Sequence, residues 1–463
     1  MRVPRSRRWQ AVLAALLVIV IAAIVTITVG LGRSTPQSVR EIASLAQILK
    51  TKDPVLHQPT QRTRFDHLAA GLEATARSDP GAPYWLVWKW LNKLKMFVNS
   101  PHTMVYFEVA SPDVYPLAFR GVVNGLAVSS FPSGRSVFPA YSQVIRLGSV
   151  TAGEVLGRLT TVIPGNSYFV RSQAALLSFP YMLHWIGVLG SGDTLRLTVK
   201  EPSGQVKTVM VRPSPVAHPG SLMQWQAEQS APGAQPTSIV QWLAGQYGTD
   251  NFDRPPTWYI DAALGYGVFR IYTMSLSPAL TYDLRNFFTT VEKDGLHRVL
   301  FDVRGNPGGT TCVTNAVLAY LPNPQGITEC GPPPAPVAGL LFHGSVFVAQ
   351  DWGTFSSAVD FSAGLSLLPE VTVVGEPTGG SPSGDFSVAP FKVADSVPVL
   401  FGQVGTRQVC IPWLPVTAPP QPPPIQGGCP LIPTFNPKVF IPTTLSDLRD
   451  HIDPVIQWLN GQR

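Results

Sequence analysis

Cysteine is scarce in this chain: Cys312, Cys330, Cys410 and Cys429 are the only four in 463 residues, and no two have the C-x-x-C spacing of a structural zinc site. Basic runs and basic stretches interleaved with aromatics are missing beyond the first few residues, which argues against a nucleic-acid partner. The formal net charge of +6 does not change that, because Arg2, Arg5, Arg7 and Arg8 supply four of the charges and leave 6 − 4 = +2 for the rest. No metal or cofactor is expected.

One long apolar run stands out. The uncharged stretch from Ala11 to Gly32 is long enough to cross a bilayer as a helix, and it follows the N-terminal arginines. It reads as an uncleaved anchor, with a cleaved secretory signal ending near Gly30 and Gly32 as the alternative. The basic flank stays in the cytoplasm, so the expectation is a single-pass membrane protein, or alternatively a secreted one, whose bulk lies outside the cytoplasm. There Cys312 with Cys330, and Cys410 with Cys429, each span a Pro/Gly-rich loop that a disulfide would staple; free buried thiols are the other reading.

The rest divides by pattern into a helical region over 38–110, a β-rich module over 111–213, a Pro/Gly/Gln-containing linker over 214–236 and an α/β core over 237–463, after the flank and anchor of 1–33. In the helical region Ile42, Leu45, Ile48 and Leu49 form one apolar stripe and Trp85, Trp88 and Leu91 another, separated by Pro80 and Pro83. The β-rich module reads as strands 121–129, 141–147, 194–200 and 206–211, with a helix over 151–163. In the core, strands 266–272, 298–303, 345–349 and 371–375 alternate with helices near 278–294, 311–320 and 357–368, a pattern that predicts a largely parallel sheet.

Two turns in that core bear chemistry. Strand residues Leu300 to Val303 run into Arg304-Gly305-Asn306-Pro307-Gly308-Gly309, where glycines let the backbone expose N–H groups. Gly353-Thr354-Phe355-Ser356-Ser357-Ala358 is a strand-to-helix junction with a serine at the bend. Taken singly, the first could be an ordinary tight turn and the second an ordinary helix N-cap.

Together with Gly375-Glu376-Pro377-Thr378-Gly379-Gly380, in this order, they resemble the C-terminal-processing (tail-specific) serine proteases, a family that also includes the tricorn core protease and non-proteolytic retinoid-binding proteins. The resemblance covers the last half of the chain, with Ser357 where the family commonly has alanine. It implies a crotonase-like protease core, a PDZ-like module over 111–213 that either takes an extended peptide by strand addition or serves only for packing, and a peptide or protein substrate. It also implies Ser356 as nucleophile and the backbone N–H groups of Gly308 or Gly309 and of Ser357 as the oxyanion hole.

For the base, Ser381 stands where the bacterial members carry a lysine, and Lys392 lies well beyond it. The tricorn-like branch instead takes a histidine from before the core, and His102, in Ser100-Pro101-His102-Thr103, has the matching context. The acid that would orient it is open between Asp395, Glu376 and Asp385, or absent. The expectation is a serine endopeptidase with Ser356 and His102; the alternative is a non-catalytic ligand- or peptide-binding protein on the same fold.

Overall fold

The computed structural model describes residues 35–100, 102–107, 113–130, 138–215, 255–322, 330, 335–382, 384–393, 400–409, 425–426, 429–430 and 434–462. Among them no helix is long and apolar enough to cross a membrane, and the stretch expected to do so, Ala11 to Gly32, lies outside the described residues.

Among the described residues three helices come first: α1 (Gln37–Lys52), α2 (Pro59–Ser78) and α3 (Tyr84–Val98). The first apolar stripe is their packing surface, with Ile42, Leu45 and Leu49 fully buried and Trp88 and Leu91 beneath α3. The two-stripe reading missed a break. Pro54 to His57 form a 3-10 turn, capped by the buried Asp53 carboxylate accepting from the Val55 N–H, and Pro59 starts a separate helix.

Strand β1 (Met104–Phe107) follows and leaves this region altogether. It pairs with β16 (Leu400–Val409), which is hairpinned to β15 (Gly384–Val393), so the N-terminal segment is stitched to the C-terminal half.

The β-rich module begins and ends in one pairing, β2 (Asp113–Val114) against β9 (Ser214–Pro215). Its sheet runs β3 (Leu117–Val122), β4 (Gly125–Ser130), β5 (Ser142–Leu147), β7 (Leu195–Lys200), β8 (Val206–Val211), with the short β6 (Val150–Thr151) on β5. The single strand expected over 121–129 is in fact a hairpin: Val123 and Asn124 turn the chain, and Gly125 at φ 142° takes a conformation that a side chain would resist. Helix α4 (Ala152–Leu159) carries a full capping box between Thr151 and Glu154 and stops short of the expected 163. Unanticipated were α5 (Ser167–Ser172) and a 3-10 turn over Gln173–Ser178, which cover β3, and α6 (Pro180–Trp185), which packs against that turn and α3. Of the expected linker, Ser214 and Pro215 are strand and the remainder lies outside the described residues.

The core sheet has the order β10 (Thr257–Asp261), β11 (Tyr266–Arg270), β12 (Arg298–Asp302), β13 (Ser345–Gln350), β14 (Val371–Gly375), then β19 (Val439–Phe440). A two-residue pairing of β17 (Ile425–Gln426) with β18 (Cys429–Pro430) precedes β19. From β11 onward every pairing is parallel, and β10 is an antiparallel edge that the sequence pattern did not reveal.

Burial on both faces explains the unbroken apolar β12. Phe269, Val299, Phe301 and Val348 face α7 (Pro278–Lys293), α8 (Cys312–Leu318) and α9 (Ser357–Leu365). Val268, Leu300, Phe347 and Val374 face the opposite side, where Val455 and Leu459 of the last helix, α11 (Pro454–Gly461), cover them after α10 (Leu445–Asp450).

Cys312 and Cys330 form a disulfide with Cα atoms 5.0 Å apart; Cys410 lies outside the described residues, so the second expected pair does too. The closed loop spans 18 residues, for which the chain-entropy relation gives about 3 kcal/mol. Mild reduction is therefore expected to lower the unfolding free energy by about 3 kcal/mol in denaturant titrations. A shift well under 1 kcal/mol would show that the bond does not constrain the unfolded chain.

Candidate active site

The three motif turns all lie at the C-terminal ends of parallel strands β12, β13 and β14, the end at which open α/β sheets bind ligands. Their junction is built by two buried side chains. Thr354 Oγ1 donates to Val303 O and accepts from the Asp351 N–H, both at 3.0 Å. Asn306 donates through Nδ2 to Ile271 O at 2.9 Å and accepts from the Gly308 N–H at 2.8 Å. Asp351 Oδ1 adds bonds from the N–H groups of Gly305 and Gly353, at 2.8 and 2.9 Å. The Phe355 N–H donates to Asn306 O, and the Gly380 N–H to Thr354 O, so each turn holds the next.

Ser356 stands at the bend with φ 53° and ψ −133°, a backbone conformation that costs a non-glycine residue on the order of 1–3 kcal/mol. It precedes α9 in the N-cap position, yet its hydroxyl makes no capping hydrogen bond. Elsewhere Thr151, Asn166, Ser277, Thr444 and Asp453 do cap their helices. The ordinary explanation for a serine before a helix therefore fails here: the residue is strained and its hydroxyl is left for something else.

Gly308 lies against it. A Cβ built on Gly308, which has φ 100°, would sit 2.5 Å from Ser356 Cβ and 3.0 Å from the Ser357 nitrogen, so only glycine allows the loop this close. Ser357 donates its hydroxyl to Gly309 O at 2.8 Å. Of the N–H groups singled out from the sequence, that of Gly308 is engaged by Asn306, whereas those of Gly309 and Ser357 have no acceptor among the described residues. Gly309 is exposed, which opens its N–H to a ligand.

His102 sits in the turn between α3 and β1, where the Thr103 N–H donates to Ser100 O. Its ring lies against Phe355, the residue before Ser356, with centroids 4.7 Å apart. Phe169 of α5 flanks the same Phe355 at 5.0 Å. The residue as a whole is partly exposed, but its Nε2 is shut off from water, and this burial lowers the imidazole pKa to about 4. Asn166 Nδ2 donates to Gly379 O at 3.0 Å, and the Arg171 guanidinium lies over the Trp352 ring, so the β-rich module leans on the turns around Ser356. Nothing near Asn166 or Phe169 in sequence signals this contact, which is wholly tertiary.

The carboxylates have other work. Arg304 grips Asp302 and Asp453 at once, with bonds of 2.6 to 2.9 Å, tying the glycine loop to the cap of α11. Burial alone would raise the Asp302 pKa, but Arg304 outweighs it and holds the carboxyl at about 2. Glu376 accepts from the Thr443 N–H at 3.0 Å; Asp385 belongs to β15 and Asp395 lies outside the described residues.

Burial, and next the charge of Asp351, raise the Glu376 pKa from 4.5 to about 7. A carboxyl raised in the folded state binds its proton more tightly there than in the unfolded chain. Stability then falls as pH rises between 4.5 and about 7, by about 3 kcal/mol. Glu376→Gln, which keeps the acceptor for Thr443, is expected to match the parent at pH 5 and exceed its melting temperature above pH 7. Equal melting temperatures at pH 8 would mean that Glu376 ionises without penalty.

Residues 265–389, which include all three turns, match the family model for Peptidase family S41. No curated protein matches the chain. Among solved structures, mature CPAF complexed with lactacystin is similar at TM-score 0.60 and 13% identity, covering 93% of this chain and 99% of that one. Mature CPAF alone is similar at TM-score 0.60 and 14% identity, covering 92% and 98%. At these identities the likeness is one of fold.

Proposed function

We propose that the chain is a serine endopeptidase of the tail-specific type, closer to the tricorn-like branch, with Ser356 as nucleophile and His102 as general base. The observation that carries this reading is the strained Ser356 whose hydroxyl caps nothing, pressed against Gly308 at the end of a parallel strand. The Peptidase family S41 match over the same turns supports it.

In this reading His102 takes the proton from the Ser356 hydroxyl as the oxygen attacks a peptide carbonyl carbon. The Gly309 and Ser357 N–H groups hold the resulting oxyanion. The C–N bond then breaks, the amine leaves with the proton from His102, and an acyl ester remains on Ser356. Water, giving a proton to His102, attacks that ester; the acid is released and Ser356 regains its hydrogen. Because burial keeps His102 neutral near pH 7, the base is ready without prior deprotonation.

The wider reading adds a membrane anchor at Ala11 to Gly32 with the remainder extracytoplasmic, and a PDZ-like character for the module between β2 and β9. The test of the central claim is whether a fluorophosphonate labels the purified chain at one-to-one stoichiometry. Absence of labelling under conditions where the chain is folded would overturn it.

A further inference from the structure

The N–H groups of Gly308, Gly309 and Thr310 are not equivalent. That of Gly308 goes to Asn306 Oδ1 at 2.8 Å, and that of Thr310 goes to Met274 O at 2.7 Å. The Gly309 N–H alone of the three has no acceptor among the described residues. It belongs to the peptide unit whose carbonyl is Gly308 O. That carbonyl accepts from the Met274 N–H at 2.9 Å and from the Thr273 hydroxyl at 3.2 Å. In a trans peptide the C=O and N–H point in opposite directions, so whatever fixes the carbonyl aims the N–H. Thr273 and Met274 thus hold one side of the peptide, and the N–H is driven to the other, where Gly309 is exposed and the neighbouring Gly308 abuts Ser356.

We infer that Thr273 is a positioning residue for the oxyanion hole: its buried hydroxyl, bonded to Gly308 O, fixes the Gly308–Gly309 peptide so that the Gly309 N–H faces the reacting carbonyl. This rests on the serine peptidase reading. Thr273 is buried and does not need to touch substrate; its effect passes through one peptide plane. The Ser357 hydroxyl, bonded to Gly309 O, steadies the next peptide in the loop. An oxyanion is charged only in the transition state, so loosening this peptide affects turnover and leaves substrate binding alone.

Thr273→Val keeps the shape and removes the hydroxyl. Loss of an oxyanion donor outright costs roughly 10²–10³ in turnover. Because Met274 still holds the carbonyl, Thr273→Val is expected to cost less, about 10-fold in kcat, with KM within about twofold. The measurement uses a fluorogenic peptide that the parent protein cleaves, together with a peptide aldehyde of the same sequence, whose adduct with serine mimics the oxyanion. Aldehyde affinity should fall in parallel with kcat, and Thr273→Ser, which restores the hydroxyl, should recover both. A purely structural role would lower the melting temperature of Thr273→Val without this selective loss.

Unchanged kcat in a folded Thr273→Val, a rise confined to KM, or failure of the serine variant to recover activity would each overturn the inference. Should the valine variant not fold, Thr273→Cys, with a much weaker donor, carries the same comparison. A parent protein that neither cleaves peptide nor takes the fluorophosphonate would instead remove the peptidase reading itself, so the two failures are distinguishable.

Discussion

Ser356→Ala is expected to abolish fluorophosphonate labelling and to lower peptide hydrolysis by roughly four orders of magnitude or more, the scale seen when a serine nucleophile is removed. The neighbouring Ser357 cannot take over, because its hydroxyl is donated to Gly309 O and its side chain is buried. The fold should survive, since the Ser356 hydroxyl forms no cap and the turn is held by Thr354, Asn306 and Asp351. A companion variant tests the strain. At φ 53° a Cβ is disfavoured, so Ser356→Gly should be equally inactive but more stable than Ser356→Ala, by about 1 kcal/mol. Labelling of the alanine variant at the parent level would remove Ser356 as nucleophile.

His102→Ala should reduce kcat by about 10²–10⁴ while leaving KM nearly unchanged, because a general base acts in the transition state and not in binding. Its pH dependence is more telling than its size. With its pKa lowered to about 4 by burial, His102 stays neutral and basic down to mildly acidic solution. The acid limb of kcat/KM should therefore fall near pH 4, well below the usual histidine value of about 6.5. An acid limb at 6.5 that persists in His102→Ala would assign the titration to another group, and full activity in that variant would end its candidacy.

The aromatic contact explains why this histidine sits where it does. Phe355 contacts both His102 and Phe169, so the Ser356 turn, the segment entering β1 and a helix of the β-rich module share a single ring. The sequence had marked His102 only through its setting between Pro101 and Thr103 and the likeness of that setting to a family turn. Phe169 carried no mark at all. An aromatic residue in an amphipathic stretch looks the same whether it packs within its own unit or reaches across to another.

Some misreadings were local and avoidable. Gly125, following Asn124, was a turn signal inside the strand expected over 121–129, and Pro59 was a helix start in a region read as helical with its break only at Pro80 and Pro83. Others had no local remedy. Strand β10 is an edge with mixed polarity, and the long hairpin β15–β16 acquires its meaning only when β1 adds to it from the far end of the chain.

By itself the sequence determined the features that consecutive residues encode. Unbroken apolar runs made β12 and β13 buried parallel strands, Thr151 with Glu154 and Thr444 with Asp447 started helices, and glycines opened the backbone at the 305–309 turn. Each depends on φ/ψ preferences and side-chain polarity within a few positions. Tertiary structure alone decided which N–H of the glycine loop stays available, that Ser356 is strained and does not cap, that Glu376 is pressed toward neutrality, and that His102 packs on Phe355 next to Ser356. These depend on distance, burial and orientation between segments remote in the chain, and such quantities arise from the sum of many weak contacts that leave no local trace.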